Sequence, residues 1–272
     1  MIDLHCHILP GLDDGAGSLE DALAMARAAQ ADGIKTIVAT PHLFRGNLST
    51  DDFGAIKERR RELAEELAKS GVPVELKAGA EVHISHDLIA EIGSHRGDLV
   101  INGSAYMFIE FPSSHIYPGV KNLVFELMSE GIVPIIAHPE RNLVLARQPG
   151  LLYDIVRLGA LAQANGGSLT GLYGREAGEA VVQLLKWNLI HFLASDAHNA
   201  SSMPPRLSRA VERAEAAAGK DGARALVFDN PRAVLEDRDL PFLPPPVDPR
   251  KSKKSLSFRI PGFLRRFKPE NS

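Results

Sequence analysis

Seven short stretches of this 272-residue chain put a histidine or an acid where it could bind a cation. His5-Cys6-His7 opens the chain, and Asp13-Asp14-Gly15 follows in a turn. Then come Thr40-Pro41-His42, Gly79-Ala80-Glu81, Phe108-Ile109-Glu110-Phe111, Ala137-His138-Pro139-Glu140-Arg141 and Ser195-Asp196-Ala197-His198. In extended backbone, residues i and i+2 share a side, so His5 and His7 can reach one ion. The aspartate turn offers hard oxygen ligands. Glu110 stands among apolar neighbours, where a carboxylate needs a cation or a proton. Each stretch is weak alone. Together they supply nine candidate ligands: His5, His7, His42, Glu81, Glu110, His138, Asp196, His198 and one from the Asp13-Asp14 turn. One zinc takes three or four ligands, so this set suits two or three ions with a bridging carboxylate. Such a cluster polarises a phosphoryl group and supplies hydroxide at neutral pH. Imidazoles and carboxylates without thiolates favour Mn, Fe or Zn.

The residues between these stretches indicate what must hold them. Short apolar, β-branched runs at Ile2-His5, Ile34-Ala39, Val74-Ala80, Tyr106-Phe111, Ile132-Ala137, Ala160-Ala164 and Ile190-Ser195 read as strands. Amphipathic helices are expected over Ser18-Asp32, capped by Ser18, and over Asp52-Ser70, Val120-Glu130, Arg175-Lys186 and Pro205-Ala218. Strand-helix alternation argues for an α/β protein with a parallel sheet. Seven such units, nearly all ending in a possible ligand, favour a barrel. There all C-terminal strand ends share one rim, and distant residues converge.

Composition narrows the function. Apolar residues make up 44% of the chain, enough for a large core, and the formal net charge is −3. Residues 241–249 read as a stiff proline-rich exit, and from Arg250 onward there are eight Lys or Arg against one acid. Without that tail the remainder carries about −10, which repels polyanions, so no nucleic-acid partner is expected. Cys6 is the one cysteine, which excludes an internal disulfide and fits a reducing cytoplasm. Neither a secretory leader nor a spanning segment is visible.

The order H-x-H, TPH, GAE, IEF, HPER, SDAH resembles the PHP (polymerase and histidinol phosphatase) superfamily. Within it, DLHCHILPGLDDG, ATPH and IAHPER are most similar to the manganese-dependent protein-tyrosine phosphatases of bacterial capsule and exopolysaccharide clusters. The resemblance covers residues 1–240 and implies a distorted (β/α)7 TIM-like barrel (the PHP fold), with 241–272 as exit and basic tail. It further implies two or three divalent ions, Mn first, with Fe or Zn as alternatives. His5, His7, Glu81 and Asp196 would hold the first. Glu81, Glu110 and His138 would hold the second, and Asp14, His42 and His198 the third. Arg141 would bind phosphate and stabilise the transition state, with Arg206 as a second clamp. A metal-bridging hydroxide would attack phosphorus. The implied substrate is a phosphotyrosine protein, a membrane-associated bacterial tyrosine kinase.

Other readings remain at this point. A small phosphomonoester such as histidinol phosphate would use the same cluster, and a regulatory barrel would have lost it. Cys6 lacks the arginine of a C-x5-R phosphatase loop, since Leu12 stands there, and is expected to be buried packing. The tail 250–272 interleaves Phe258, Ile260, Phe263, Leu264 and Phe267 with basic residues. That pattern suits an anionic membrane surface at the inner face of the membrane, while Pro261 and Gly262 would interrupt any helix and leave a disordered, solubilising tail as the other reading.

Overall fold

The computed structural model describes residues 1–49, 51–85 and 88–251. Among them are strands β1 (Ile2–Cys6), β2 (Thr36–Ala39), β3 (His42–Leu43), β4 (Glu75–Ala78), β5 (Glu81–His83), β6 (Tyr106–Glu110), β7 (Val133–Ala137), β8 (Leu161–Asn165) and β9 (Phe192–Ala194). Helices between them are α1 (Leu19–Ala31), α2 (Phe53–Lys69), α3 (Leu88–Leu99), α4 (Val120–Ser129), α5 (Leu143–Arg147), α6 (Pro149–Arg157), α7 (Gly166–Thr170) and α8 (Gly174–Lys186). Two more, α9 (Ser208–Arg224) and α10 (Asn230–Leu235), follow the last strand.

All strand pairs are parallel, in two sheets ordered β1-β2-β4 and β3-β5-β6-β7-β8-β9. Two short strands were not expected and lie just past the second and third: β3 follows β2 across Thr40-Pro41, and β5 follows β4 across Gly79-Ala80. Pro41 has no N–H to give a ladder. At Gly79 a Cβ would meet Val38 Cγ1 at 2.6 Å, so the backbone passes too closely for any side chain. One further parallel bridge, Cys6 to Ala197, links the end of β1 to the loop after β9.

Two apolar clusters separate the faces of the strands. Ile2, Leu4, Phe108, Ile135, Leu161 and Phe192 pack together on one side. Met107, Ile109, Ile136, Ala162 and Leu193 lie on the other, beneath the helices. This is the period-two alternation of a strand buried on both faces. Between Asp3 and Cys6, three residues of β1 pass against two of β2, a bulge that re-aims His5. His5 thereby turns inward against Phe108, with ring centroids 4.9 Å apart. Cys6 goes to the helix side and is fully buried, as expected.

The helices follow their local codes. Ser18 Oγ accepts from Asp21 N at 3.1 Å to start α1, and Ala22, Met25, Ala26 and Ala29 bury one face. The last long helix differs from expectation. It starts at Ser208 rather than Pro205 because Asp32, at the end of α1, caps it from outside: Asp32 Oδ2 accepts from the N–H groups of Leu207 (2.6 Å) and Ser208 (2.9 Å). The proline-rich exit lies against the body. Val247 N donates to Trp187 O at 2.8 Å and Asn188 Nδ2 to Pro245 O at 2.9 Å. Of the tail 250–272, expected to contact a membrane surface, all residues from 252 onward lie outside the described residues. No helix among them is long and apolar enough to cross a membrane.

Candidate metal centre

The nine expected ligands converge where the strands end. Ligating atoms of His5, His7, Glu81 and Asp196 all lie within 4.8 Å of one another, and the same holds for His42, Glu81 and Glu110, and for His7, Asp14, His42 and His198. His138 is beside them, its Nε2 2.9 Å from Glu81 Oε1. Within the first group, His5 Nε2 is 3.2 Å from His7 Nε2, 3.2 Å from Glu81 Oε2 and 3.6 Å from Asp196 Oδ1. His7 Nε2 is 3.4 Å from Glu81 Oε2 and 3.3 Å from Asp196 Oδ1. Ligands at about 2.1 Å from one ion stand about 3.0 to 3.4 Å apart, a range that four of these five edges occupy, with His5 Nε2 to Asp196 Oδ1 at 3.6 Å just outside it.

Hydrogen bonds fix what these atoms present. The Asp196 carboxylate accepts from Asn165 Nδ2 at 2.6 Å, and Asn165 Oδ1 accepts from Gln163 Nε2 at 2.9 Å. Gln163 Oε1 must then accept from His5 Nδ1, 3.1 Å away. Likewise His7 Nδ1 donates to Asp13 Oδ2 at 2.8 Å. In the neutral rings both Nε2 atoms therefore point lone pairs at each other, which repel unless a cation lies between them. Glu81 Oε2 is buried without a hydrogen-bond partner, yet lies 3.2, 3.4 and 3.0 Å from nitrogens of His5, His7 and His42.

Charge points the same way. Burial opposes a charged His5, but Glu81 and Asp196 outweigh it and lift the imidazole to about 8. His7 is raised against burial by Asp13, and His42 by Asp14 and Glu81. Burial would raise Glu81, Asp196 and Asp14, yet the surrounding imidazoles hold all three well below the usual carboxylate range. The carboxylates stay ionised and demand positive charge among them. Divalent cations meet that demand, so the donor set fits a metal cluster.

The backbone supports this at a cost. His138 (φ 29°) and Asp196 (φ 51°) both occupy the left-handed region that side chains disfavour. Each such residue costs roughly 1–3 kcal/mol and is kept where geometry matters more than stability.

The two expected phosphate arginines part company. Arg141 Nη1 lies 2.7 Å from Asp196 Oδ2, and its guanidinium stacks 4.4 Å over the Tyr173 ring. Arg206 is exposed just ahead of α9 and takes part in none of the described hydrogen bonds or ion pairs. Several residues at the centre escaped sequence reasoning. Asp13 orients His7 rather than offering itself as a ligand. Gln163 and Asn165 form the polar relay, and polar residues inside an apolar strand were the available signal. Arg45 contacts His42, Glu110 and Asp14, and Tyr173 carries Arg141. His83 Nδ1 lies 3.1 Å from Glu110 Oε2. Glu140 Oε1 accepts from Asn165 N at 2.9 Å and Ser168 Oγ at 2.8 Å, fastening the end of β8.

Known proteins share this arrangement of chain. The tyrosine-protein phosphatase YwqE of Bacillus subtilis is 37% identical over 258 residues, covering 95% of this chain and 100% of its own length. The tyrosine-protein phosphatase CpsB of Streptococcus pneumoniae is 28% identical over 249 residues, covering 88% and 99%. A crystal structure from work on YwqE and CpsB, described as unique metal-dependent tyrosine phosphatases, superposes with a TM-score of 0.87 at 37% identity, covering 91% of this chain and 99% of that one. A histidinol phosphate phosphatase of Lactococcus lactis shares the fold, with a TM-score of 0.53 at 16% identity over 81% of this chain and 93% of that one. The model of the capsular polysaccharide synthesis family CpsB/CapC matches residues 1–236. Convergent ligands, chain-length similarity and family match agree: this chain belongs to the CpsB/CapC family of capsular polysaccharide synthesis.

Proposed function

We propose that this chain is a metal-dependent protein-tyrosine phosphatase, a phosphoric monoester hydrolase acting on a phosphotyrosine protein. The observation that carries the reading is the buried Glu81 Oε2, without a hydrogen-bond partner amid three imidazole nitrogens, with the His5 and His7 Nε2 atoms 3.2 Å apart. The names of the relatives supply the substrate class. His5, His7, Glu81 and Asp196 would hold one ion. Glu81, Glu110 and His138 would hold a second, and Asp14, His42 and His198 a third, with His42 close enough to serve either of the last two. Bound ions, most readily Mn, supply Lewis acidity and a nucleophilic water at neutral pH.

The protein's own groups do the rest. Asp13 and Gln163 hold the imidazoles in the metal-binding tautomer. Arg141, steadied by Tyr173, offers a guanidinium fork to phosphoryl oxygens. A phenolate, with a pKa of about 10, leaves with less protonation help than an alkoxide.

The finer points extend this reading. The two sheets would act as one (β/α)7 ring, with β2 and β3 forming one broken strand and β4 and β5 another. The Cys6–Ala197 bridge would close it. Residues 1–240 would form that unit, and 241–272 its appendage. A membrane-associated tyrosine kinase would be the substrate, met in the cytoplasm at the inner membrane face, where the basic tail could contact lipid. Turnover of a phosphotyrosine peptide should require added Mn, Fe or Zn and stop in EDTA. Turnover undiminished by EDTA overturns the reading, and faster turnover of histidinol phosphate overturns the substrate class.

A further inference from the structure

Arg206 is exposed and takes part in none of the described hydrogen bonds or ion pairs, whereas Arg45 contacts the expected ligands directly. Arg45 follows β3 on a loop whose backbone is pinned: Phe44 N donates to Asp51 Oδ1 at 3.0 Å, and Arg45 N to Ser49 Oγ at 2.9 Å. Its guanidinium contacts the His42 ring, with Nε 3.4 Å from Glu110 Oε2 and Nη1 4.0 Å from Asp14 Oδ2. Glu110 and Asp14 belong to different ligand groups, so this one side chain spans both. It is 30% exposed, so it runs from solvent into the cluster.

We propose that Arg45 is a substrate-binding residue, a further guanidinium that takes phosphoryl oxygens at this centre. The proposal rests on the metal reading above. In its described position Arg45 serves Glu110 and Asp14 as an internal counter-cation. Divalent ions bound by those acids and His42 would take over that charge, and like charge would repel the guanidinium from the ligands. Its pinned backbone keeps it at the rim. The anion that arrives there is the phosphoryl group, whose oxygens match a guanidinium fork. Arg45 thus has two successive partners, ligand carboxylates first and substrate afterwards.

The two roles predict effects of opposite sign. Calorimetry on the full chain, titrated with Mn and then with inorganic phosphate, reads both. Arg45→Ala should bind Mn at least as tightly as the parent, because a competing cation is gone. The Mn-loaded variant should bind phosphate roughly tenfold to hundredfold more weakly, the worth of a hydrogen bond to a charged group. Arg45→Lys should fall between, keeping charge but losing the fork. Unchanged phosphate affinity in Mn-loaded Arg45→Ala overturns the proposal. So does weaker Mn binding by that variant, which would make Arg45 a support for the ligands. Failure of the parent chain to bind Mn defeats the metal reading itself, and this proposal with it.

Discussion

Replacing Asp13 with asparagine separates the orientation of a ligand from the ligand itself. The Asp13 carboxylate takes three donors: His7 Nδ1 at 2.8 Å and His42 N at 3.1 Å on Oδ2, and Gly15 N at 2.9 Å on Oδ1. Asparagine keeps the shape but loses the charge and one acceptor oxygen. If the remaining oxygen stays on Gly15 N, an amide N–H faces the His7 Nδ1–H, and the ring loses the partner that fixes its tautomer. Outer partners of metal-bound histidines are worth tenfold to hundredfold in affinity, about 1.4 to 2.8 kcal/mol. Asp13→Asn should therefore shift the Mn dependence of phosphatase activity by one to two decades while saturating Mn restores most of kcat. Calorimetric Mn titration should show the same shift. An unchanged Mn affinity refutes the orienting role. A loss of turnover that saturating Mn fails to rescue would make Asp13 a direct participant instead.

Three further outcomes follow from the same geometry. A Cβ on Gly15 would lie 2.1 Å from His7 O and 2.5 Å from His7 Cβ, so Gly15→Ala should displace His7 and lower Mn affinity as severely as losing a ligand; wild-type metal content by mass spectrometry would contradict this. Tyr173→Phe should leave KM nearly unchanged, since the ring under Arg141 remains, whereas Tyr173→Leu should raise KM severalfold; equal effects from both would assign the role to the hydroxyl. Burial holds His191 down at about 4, against an ordinary 6.5, although Ala162 N donates to it. The unfolded chain then takes a proton that the folded one refuses. Its contribution to stability is complete above about pH 6.5 and falls by about 3 kcal/mol as pH drops to 4. Urea unfolding of His191→Gln should show a shallower loss between those pH values, and an identical slope would remove His191 as the cause.

Strand ends were the legible part of this molecule. Every expected strand appears within two residues of its reading, because period-two apolar runs survive burial on both faces. The same alternation placed His5 with His7 and turned Cys6 away, although a bulge, invisible in sequence, completes the turn of His5. The interruptions at Pro41 and Gly79 were legible as residues but not as breaks between sheets. Asp13 and Asp14 are chemically alike and adjacent, so sequence could not divide them into orienter and ligand; only the direction of each side chain does so. Arg206 was placed by its nearness to Ser195-Asp196-Ala197-His198. The cap from Asp32 starts the helix just after Arg206, which is exposed and without a described partner. Arg45 lies in a loop without periodicity, and no local pattern marks it.

The bridge between Cys6 and Ala197 has a consequence for the birth of the protein. These two residues are 191 positions apart, and the proposed ligands His5, His7, Asp196 and His198 flank them on either side. At about 5 to 20 residues per second, the ribosome delivers the second pair roughly ten to forty seconds after the first. Throughout that interval the two earliest histidines lack half their partners. On the metal reading, the first ion would settle only after the chain has been made as far as Asp196, out of 272 residues. On the proposed metal reading, acquisition would be a late step of maturation, a rivet set after the plates meet, and chelator present during synthesis should be more damaging than the same chelator added to finished protein.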